Sequence, residues 1–359
     1  MSIFDQKVIK YEMKPLSSLE KVFPDETPVY RMECQMLSGL WGETVSFQVA
    51  YTGDFVMRER LDVRVVSELA EHVHVRTVEM VPVGRATNGI VDDNYLKTTS
   101  GLYPDLLKDL KDGKVIVYSR QWRSLWVDVD ITNEIPAGEY EIELQLIKEG
   151  EVVCSAKQKV TVIGTELPKL DIMHTEWMHA DCLADYYHVE VFSEEHWKLL
   201  ENYFQEYVKR DCNMMLTPLF TSPLDTAIGL ERTTCQLIDV EVKDGEYVFG
   251  FEKLKRWIDL CKKCGIEYFE MSHLFSQWGA KYAPKVVATV NGKKEKIFGW
   301  HTPAVGEYTK FLGSFLPQLT AKLRKWEIAD VTYFHISDEP REEHLESYKA
   351  AKESLGNML

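Results

Sequence analysis

Apolar and polar residues alternate with a period of two in several short stretches of the first 165 residues. The clearest stretches are residues 61–66, 72–76, 126–131 and 140–146. In a β-strand this period places one side-chain face in the core and the other in solvent. Turn-forming residues such as Pro136-Ala-Gly separate the stretches at hairpin-like intervals. We therefore predict that residues 1–165 form an accessory domain, an immunoglobulin-like β-sandwich.

The pattern changes after residue 165. Apolar runs of strand length then alternate with stretches of helical periodicity, and this cycle occurs four times. The predicted strands are 170–177, 213–218, 266–273 and 331–337, and the predicted helices are 194–210, 251–264, 306–325 and 341–355. No glycine-rich phosphate-binding loop follows any of these strands. We predict that residues 166–359 form the first part of a (β/α)₈ catalytic barrel, so the chain combines a β domain with an α/β domain.

Local signals define some of these elements more sharply. Ser193 is a predicted helix N-cap, and Gly265 is predicted to end a helix. Asp244-Gly and Asn291-Gly each stand between two alternating runs, which predicts two hairpins. Both hairpins lie in loops that follow barrel strands, so we expect them to wall the catalytic face.

The predicted barrel is shorter than a complete one. About 190 residues follow the linker and hold four βα units, whereas a whole (β/α)₈ barrel needs about 250 residues. We therefore expect either a fragment of a longer protein or a half-barrel. Open strand edges favour pairing with other chains, so we expect self-association through the barrel edges.

Composition restricts the class of partner. The chain has 359 residues, a formal net charge of −15 and 11% aromatic residues. An acidic surface repels phosphate groups, so we expect binding to neither nucleic acid nor an anionic membrane. No apolar stretch is long enough to span a membrane, the first residues lack a secretion signal, and the seven cysteines show no regular spacing. We therefore expect a cytoplasmic protein with reduced thiols.

The chemically most informative segment is the end of the fourth predicted strand, where Asp338 and Glu339 precede Pro340. Catalytic groups of (β/α)₈ barrels lie at the carboxyl ends of strands. Glycoside cleavage needs a proton donor and a group that stabilises positive charge at the anomeric carbon, and two carboxylates suit these roles. A helix start with Asp338 as its N-cap would use the same residues, and the sequence leaves this alternative open.

Aromatic, histidine and polar side chains collect at the ends of the other predicted strands. The candidates for sugar binding are Trp177, His179, Asp181, His273, Gln277, Trp278, Trp300 and His335. Such groups can stack on a sugar ring and hydrogen-bond to its hydroxyls. Ordinary loop packing and solvation are the alternative. We expect no metal, because His179 and Asp181 would lie with Asp185 and His188 on an irregular loop that matches no zinc pattern.

Three motifs identify a resemblance. They are Trp177-Met-His-Ala-Asp-Cys-Leu-Ala-Asp-Tyr-Tyr, Ser272-His-Leu-Phe-Ser-Gln-Trp-Gly and His335-Ile-Ser-Asp-Glu-Pro. Together they resemble glycoside hydrolase family 123 and the related family built on domain of unknown function 4091. The resemblance covers essentially the whole chain, because those proteins join an N-terminal β-sandwich to a (β/α)₈ barrel. Family 123 enzymes are β-N-acetylgalactosaminidases that act with retention and use the 2-acetamido group of the substrate as nucleophile.

The resemblance implies a role for each carboxylate. Glu339 would be the general acid/base, and Asp338 would orient and polarise the acetamido N–H as the oxazolinium forms. Substrate assistance removes the need for a second carboxylate as nucleophile. The implied function is retaining, substrate-assisted cleavage of terminal β-linked N-acetylhexosamine, with N-acetylgalactosamine favoured. The implied partner is a glycan or small oligosaccharide, and no cofactor is expected.

Two further hypotheses stay open at this point. An ordinary double-displacement glycosidase would keep Glu339 as acid/base and take its nucleophile from a later strand outside this chain. A non-catalytic glycan-binding module or half-barrel would bind sugar without hydrolysing it. Cleavage of substrates that lack the 2-acetamido group would distinguish double displacement from substrate assistance. Binding without hydrolysis would identify the non-catalytic module.

Overall fold

The computed structural model describes residues 10–29, 36–55, 58–89, 91–92, 94–169, 171–224, 226–227, 229–277, 279–356 and 358. The chain divides into two compact units, Met1–Lys169 (unit 1) and Leu170–Leu359 (unit 2). Each unit has a hydrophobic core of its own. No helix in the described ranges is long and apolar enough to cross a membrane.

Unit 1 is rich in β-structure. Its strands are β1 Lys10–Ser17, β2 Met36–Trp41, β3 Thr44–Asp54, β4 Glu59–Val66, β5 Val73–Val83, β6 Gly101–Asp109, β7 Lys114–Val117, β8 Arg123–Asp130, β9 Gly138–Lys148 and β10 Glu151–Glu166. They form two sheets, in the orders β1-β3-β8-β5-β6 and β2-β10-β9-β4-β7. Side chains from both sheets build one core, for example Phe47 of β3 and Leu144 of β9. The alternating stretches fall in β4, β5, β8 and β9, and in β8 the buried Val127 and Val129 flank Asp128, which pairs with Arg76.

Unit 2 alternates strands and helices. Its elements are α1 Ala180–Tyr187, α2 Glu194–Lys209, β11 Met214–Thr217, β12 Asp239–Lys243, β13 Glu246–Gly250, α3 Glu252–Cys264, β14 Tyr268–Met271, β15 Val286–Val290, β16 Lys293–Phe298, α4 Glu307–Lys325, β17 Thr332–Phe334 and α5 Leu345–Gly356. Strands β11, β14 and β17 form a parallel sheet in that order. Their carboxyl ends therefore lie along one edge of the sheet.

Local chemistry explains where two helices begin and end. The Ser193 hydroxyl accepts a hydrogen bond from His196 N at the start of α2, with 3.3 Å between the atoms. Helix α3 ends at Gly265, whose φ of 101° lies in the left-handed region that glycine adopts without a steric cost. The buried residues of α3 recur at helical spacing: Leu254, Trp257, Ile258 and Cys261.

The prediction of a strand at 170–177 is wrong over its described part, residues 171–177, which contains no strand and bends at Ile172. The His174 carbonyl accepts from Asn213 N at 3.1 Å and from Met214 N of β11 at 3.0 Å, whereas side chains bond to other backbone groups of the segment. The amide of Asn213 accepts from His174 N and donates to the Ile172 carbonyl, each at 2.8 Å. The Tyr207 hydroxyl accepts from Glu176 N at 2.8 Å. These bonds compete with a β-ladder and still hold the segment beside β11.

Other differences concern the length of elements. The segment 180–187 was not predicted to be regular and forms α1. The fourth predicted strand is shorter than expected: β17 begins after a 3₁₀ turn at Ala329–Val331 and ends at Phe334, so residues 335–337 lie outside it. A second 3₁₀ turn, Glu342–His344, precedes α5. Its N-cap is Arg341, so the structure does not use Asp338 as a helix N-cap.

Both predicted hairpins are present. β12 pairs with β13 and β15 pairs with β16. The turn residues Asp244 and Gly245 have φ values of 50° and 83°, and Asn291 and Gly292 have φ values of 50° and 78°. Positive φ at both positions is the requirement of a tight hairpin turn. A parallel pairing of β12 with β15 then joins the hairpins into the sheet β13-β12-β15-β16, which was not expected from sequence.

Helix α4 anchors this hairpin sheet. Its Phe311 ring lies 5.0 Å from Tyr247 of β13 and 5.1 Å from Phe298 of β16, measured between ring centroids. Tyr308 and Phe315 continue the same buried face of the helix. Aromatic burial of this kind contributes several kilocalories per mole and gives the sheet a fixed position.

Candidate active site

Histidine and carboxylate side chains follow the strands at the carboxyl edge of the parallel sheet. His273 comes two residues after β14 ends, and His335 directly follows β17. Ser272 N donates to the Thr217 carbonyl at 2.9 Å, which extends the contact between β14 and β11 to this edge. Asp338 and Glu339 lie a few residues beyond His335.

A buried carboxylate, that of Glu270 on β14, is the centre of this region. The residue is 2% exposed and accepts hydrogen bonds from Trp177 Nε1 and Thr175 Oγ1, each at 2.9 Å, and from His335 Nε2. Burial alone would raise the Glu270 pKa, but the bonds from His335, Trp177 and Thr175 outweigh burial and lower the pKa below its ordinary value. The carboxylate is therefore ionised at neutral pH.

Three aromatic rings pack around this carboxylate. The imidazoles of His273 and His335 stack with 4.5 Å between centroids and 24° between planes. The Trp177 indole meets both edge-on, at 5.2 Å from His273 and 6.1 Å from His335. The structure thus brings together three of the residues that the sequence singled out for sugar binding.

His273 has no hydrogen-bond partner for either ring nitrogen within the described residues, although it is only 2% exposed. Burial lowers its pKa to about 4, and the neighbouring His335 and His179 act in the same direction. Asp338 and Glu270 oppose this shift. The imidazole is therefore neutral at pH 7, and its unpaired nitrogens carry a free-energy cost that few native side chains carry.

Asp338 is held from two sides. The side-chain amide of Gln277 donates to Asp338 Oδ2 at 3.2 Å, and the Tyr348 hydroxyl of α5 donates to the Asp338 carbonyl at 2.6 Å. Glu339 is exposed, and its φ of 48° is left-handed. That conformation is strained for a residue with a Cβ, and more so before Pro340. Strain of this kind is common at functional positions.

Asp181 and His179 occupy a different environment. Both oxygens of the buried Asp181 carboxylate accept from Arg232, at 2.7 Å from Nε and 3.0 Å from Nη2. Arg232 Nη1 also donates to the Leu224 carbonyl at 3.0 Å. Asp181 therefore lies in an ion pair rather than in the group around Glu270. His179 is the N-cap residue of α1 and influences the pKa of His273.

Trp300 lines a separate cavity of about 260 Å³. Ser222, Arg232, Lys285 and Lys296 are among its other lining residues. Trp278 lies outside the described residues. Across the described ranges, no group of three or more His, Cys, Asp or Glu side chains is arranged to hold a metal ion.

Sequence inspection missed Glu270 and Thr175. A signal for Glu270 was present, because a carboxylate interrupts an apolar run between Phe269 and Met271. Charged residues are almost never fully buried unless they are paired. A charge inside a buried parallel strand therefore points to partners on other segments. Thr175 carries no comparable signal.

A comparison with family models finds one match, described as the catalytic domain of glycoside hydrolase 123, over residues 177–359. A solved family 123 glycoside hydrolase from Clostridium perfringens, reported with the details of glycolipid glycan hydrolysis, is similar with a TM-score of 0.69 and 14% identity. The match covers 95% of this chain and 60% of that chain, so the chain spans 60% of its length. At this identity the likeness shows the fold alone.

Other solved structures are much less similar. A β-glucosidase from Listeria innocua matches with a TM-score of 0.21 and 10% identity, over 45% of this chain and 17% of that chain. A similarity at this level carries no argument about the chain. The search of curated proteins found no match to this chain.

Proposed function

The chain belongs to glycoside hydrolase family 123, and on that premise we propose that it is a retaining glycosidase that removes terminal β-linked N-acetylhexosamine, with N-acetylgalactosamine favoured. The observation that carries the proposal is the position of Asp338 and Glu339 beyond β17, at the edge where β14 also ends. This is the edge at which parallel α/β folds bind and transform their ligands.

The proposed reaction uses the 2-acetamido group of the substrate. Its oxygen attacks the anomeric carbon while the glycosidic C–O bond breaks, and Glu339 gives its proton to the leaving oxygen. Water then attacks the anomeric carbon, the oxazolinium opens, and Glu339 takes a proton from that water. Two displacements at one carbon retain its configuration.

Asp338 is proposed to accept the acetamido N–H and to stabilise the positive charge of the oxazolinium. Gln277 donates to Oδ2 at 3.2 Å, which orients the carboxylate. None of the described residues hydrogen-bonds to Oδ1, which is the oxygen proposed to meet the substrate. An oriented negative charge near a developing cation needs no reorganisation during the reaction, and this supports the assignment.

The terminal sugar is proposed to bind beside the rings of Trp177, His273 and His335. Trp177 is anchored through Nε1 to Glu270 and is 39% exposed, so part of the indole remains open for contact with a sugar. For His179, Asp181, Gln277, Trp278 and Trp300, sugar binding stays a prediction.

The finer architecture is part of the same proposal. We propose that β11, β14 and β17 are strands of a (β/α)₈-type barrel and that unit 1 is an immunoglobulin-like accessory sandwich. The domain division into residues 1–165 and 166–359, the cytoplasmic location and the self-association through barrel edges stay predictions. It also stays a prediction that the chain binds a glycan and binds neither nucleic acid nor a membrane.

The experiment that tests the proposal compares three aryl glycosides: the N-acetyl-β-galactosaminide, the N-acetyl-β-glucosaminide and the plain β-galactoside. We expect hydrolysis of the acetamido sugars alone, faster for the galacto form. Glu339→Gln is expected to lower kcat about a thousandfold or more, and Asp338→Asn about a hundredfold. Glu343→Gln, at an exposed neighbouring position, is the matched control.

Two results would contradict the proposal. Equal cleavage of the plain galactoside, with a covalent adduct trapped by a fluoroglycoside, would identify double displacement with another nucleophile. Sugar binding that survives both Asp338→Asn and Glu339→Gln, without hydrolysis by the unchanged chain, would identify a glycan-binding module.

A further inference from the structure

Glu270 determines which nitrogen of His335 carries a hydrogen. Its two carboxylate oxygens accept hydrogen bonds from three side chains, those of Trp177, Thr175 and His335. An ionised carboxylate can only accept hydrogen bonds, so His335 must donate from Nε2. In the neutral imidazole the other nitrogen, Nδ1, is then a hydrogen-bond acceptor.

The surroundings of His335 leave Nδ1 available. Among the described residues no hydrogen bond to this nitrogen is present, and the His335 side chain is 36% exposed. One face of the His335 imidazole is stacked on the His273 ring, with 4.5 Å between the ring centroids. Nδ1 is thus the remaining polar atom of a partly exposed imidazole that lies three residues before Asp338.

A purely structural role does not explain the carboxylate. Both neighbours of Glu270 on β14, Phe269 and Met271, are fully buried and apolar. Taking a charge out of water is costly, and an apolar residue in its place is often as stable or more so. The carboxylate instead accepts hydrogen bonds from the Trp177 indole and the His335 imidazole, which border the proposed sugar position.

We propose that Glu270 is a positioning residue: it holds His335 as the Nε2–H tautomer and thereby presents Nδ1 as a hydrogen-bond acceptor for a hydroxyl of the bound sugar. The identity of the ligand rests on the proposed function, whereas the tautomer is a property of the chain alone. The same carboxylate orients the Trp177 indole, so the sugar position would lose two contacts when Glu270 is removed.

The tautomer is tested by long-range ¹H–¹⁵N correlation spectra of the protein labelled in its histidines, with the His335 signals assigned from the His335→Gln variant. We expect the Nε2–H pattern in the unchanged chain at pH 7. Glu270→Met removes the acceptor and is expected to give a mixture of tautomers. Glu270→Gln keeps an acceptor oxygen and is expected to restore the Nε2–H pattern. An Nδ1–H pattern or a doubly protonated imidazolium pattern in the unchanged chain at pH 7, or a full Nε2–H pattern in Glu270→Met, would overturn the proposal.

Thr175→Val is the matched control, since it removes one donor to Glu270 without touching His335. It is expected to leave the tautomer unchanged. Thermal unfolding of every variant separates these effects from misfolding, and the spectrum of the unchanged chain decides the tautomer even if Glu270→Met does not fold.

The acceptor role is tested by titration with N-acetylgalactosamine. We expect the His335 Nδ1 resonance to shift on binding while Nε2 keeps its proton. His335→Gln retains a donor toward Glu270 but lacks Nδ1, and is expected to weaken sugar binding about tenfold. Sugar binding without any Nδ1 shift would overturn the acceptor role. Failure of the unchanged chain to bind the sugar would contradict the proposed function and this role together, and the ligand-free spectra would still decide the tautomer.

Discussion

Gln277 and Asp338 join the loops that follow β14 and β17, through a 3.2 Å hydrogen bond between Gln277 Nε2 and Asp338 Oδ2. The two residues are 61 positions apart in the sequence. The Tyr348 hydroxyl holds the backbone of Asp338 from the other side. Asp338 is therefore held by residues from two other segments, one at its carboxylate and one at its backbone carbonyl.

Gln277→Glu places a second carboxylate against Asp338. Like charges at this distance favour protonation of one of them, so the Asp338 pKa should rise. We expect the acid limb of the kcat/KM profile to move to higher pH, with a loss of about tenfold or more at pH 6. Gln318→Glu, on the exposed side of α4, is the control. An unchanged profile would mean that this hydrogen bond does not serve the site.

The Asp181–Arg232 ion pair is expected to stabilise unit 2. Removing one partner of a buried pair leaves an uncompensated charge, so Asp181→Ala and Arg232→Ala should each lower the free energy of unfolding by about 3–5 kcal/mol. The double variant should lose much less than the sum. The exposed pair Lys255–Asp259 is the comparison and should contribute at most about 1 kcal/mol.

Urea unfolding of the unchanged chain and the three variants of this cycle measures the coupling directly. It also separates two roles for Asp181. If this residue binds sugar, as the sequence predicts, Asp181→Asn should weaken sugar binding under conditions in which the variant is still folded. A large stability loss with normal binding would make the residue structural.

His273 should make stability depend on pH. Its pKa is about 4 in the folded chain against an ordinary value of 6.5. Below pH 6.5 the unfolded chain binds a proton that the folded chain does not, so the free energy of unfolding falls as the pH falls toward 4. The expected loss between pH 7 and pH 5 is about 2 kcal/mol.

His273→Phe tests this expectation by denaturation at both pH values. The variant should lose that part of the pH dependence and should be no less stable at pH 7, because the imidazole nitrogens lack partners there. His74→Phe in unit 1 is the control. A pH dependence that persists in His273→Phe would assign it to other groups.

Glu339 is expected to lower the stability of the folded chain although hydrolysis requires it. Its left-handed backbone is strained, and asparagine adopts that region more readily than glutamate. We expect Glu339→Asn to raise the free energy of unfolding by up to about 1 kcal/mol while abolishing hydrolysis. Thermal unfolding and the aryl glycoside assay measure the two effects on one sample. Glu343→Asn, whose position has no such strain, should not be stabilised.

Local chemistry explains what could be predicted from sequence. The Ser193 cap, the Gly265 end and the two hairpin turns each depend on a few consecutive residues, and all are present. Alternation predicted the strands of unit 1 for the same reason. The placement of His273 and His335 at one edge followed from a general rule about strand ends, whereas Trp177 reaches both rings from a segment outside any strand.

The remaining features depend on contacts between distant segments. The partners of Glu270 lie 65, 93 and 95 positions away in the chain. The predicted strand at 170–177 does not form a ladder with β11, because the side chains of Tyr207 and Asn213 bond to backbone groups that a ladder would use. Periodicity within one segment contains no information about such partners. The ion pair of Asp181 was unforeseen for a related reason, because neither its helix α1 nor its partner Arg232 was predicted.

The pairing of β12 with β15 has a consequence for how this fold can vary. The two hairpins are inserted at different points of the chain, yet each supplies an inner strand to the other. Deleting one would expose the inner edge of the survivor, and lengthening one would shift the register of both. Loop exchange between relatives, in nature or in the laboratory, should therefore succeed when both hairpins are transferred as one module and fail when either is transferred alone.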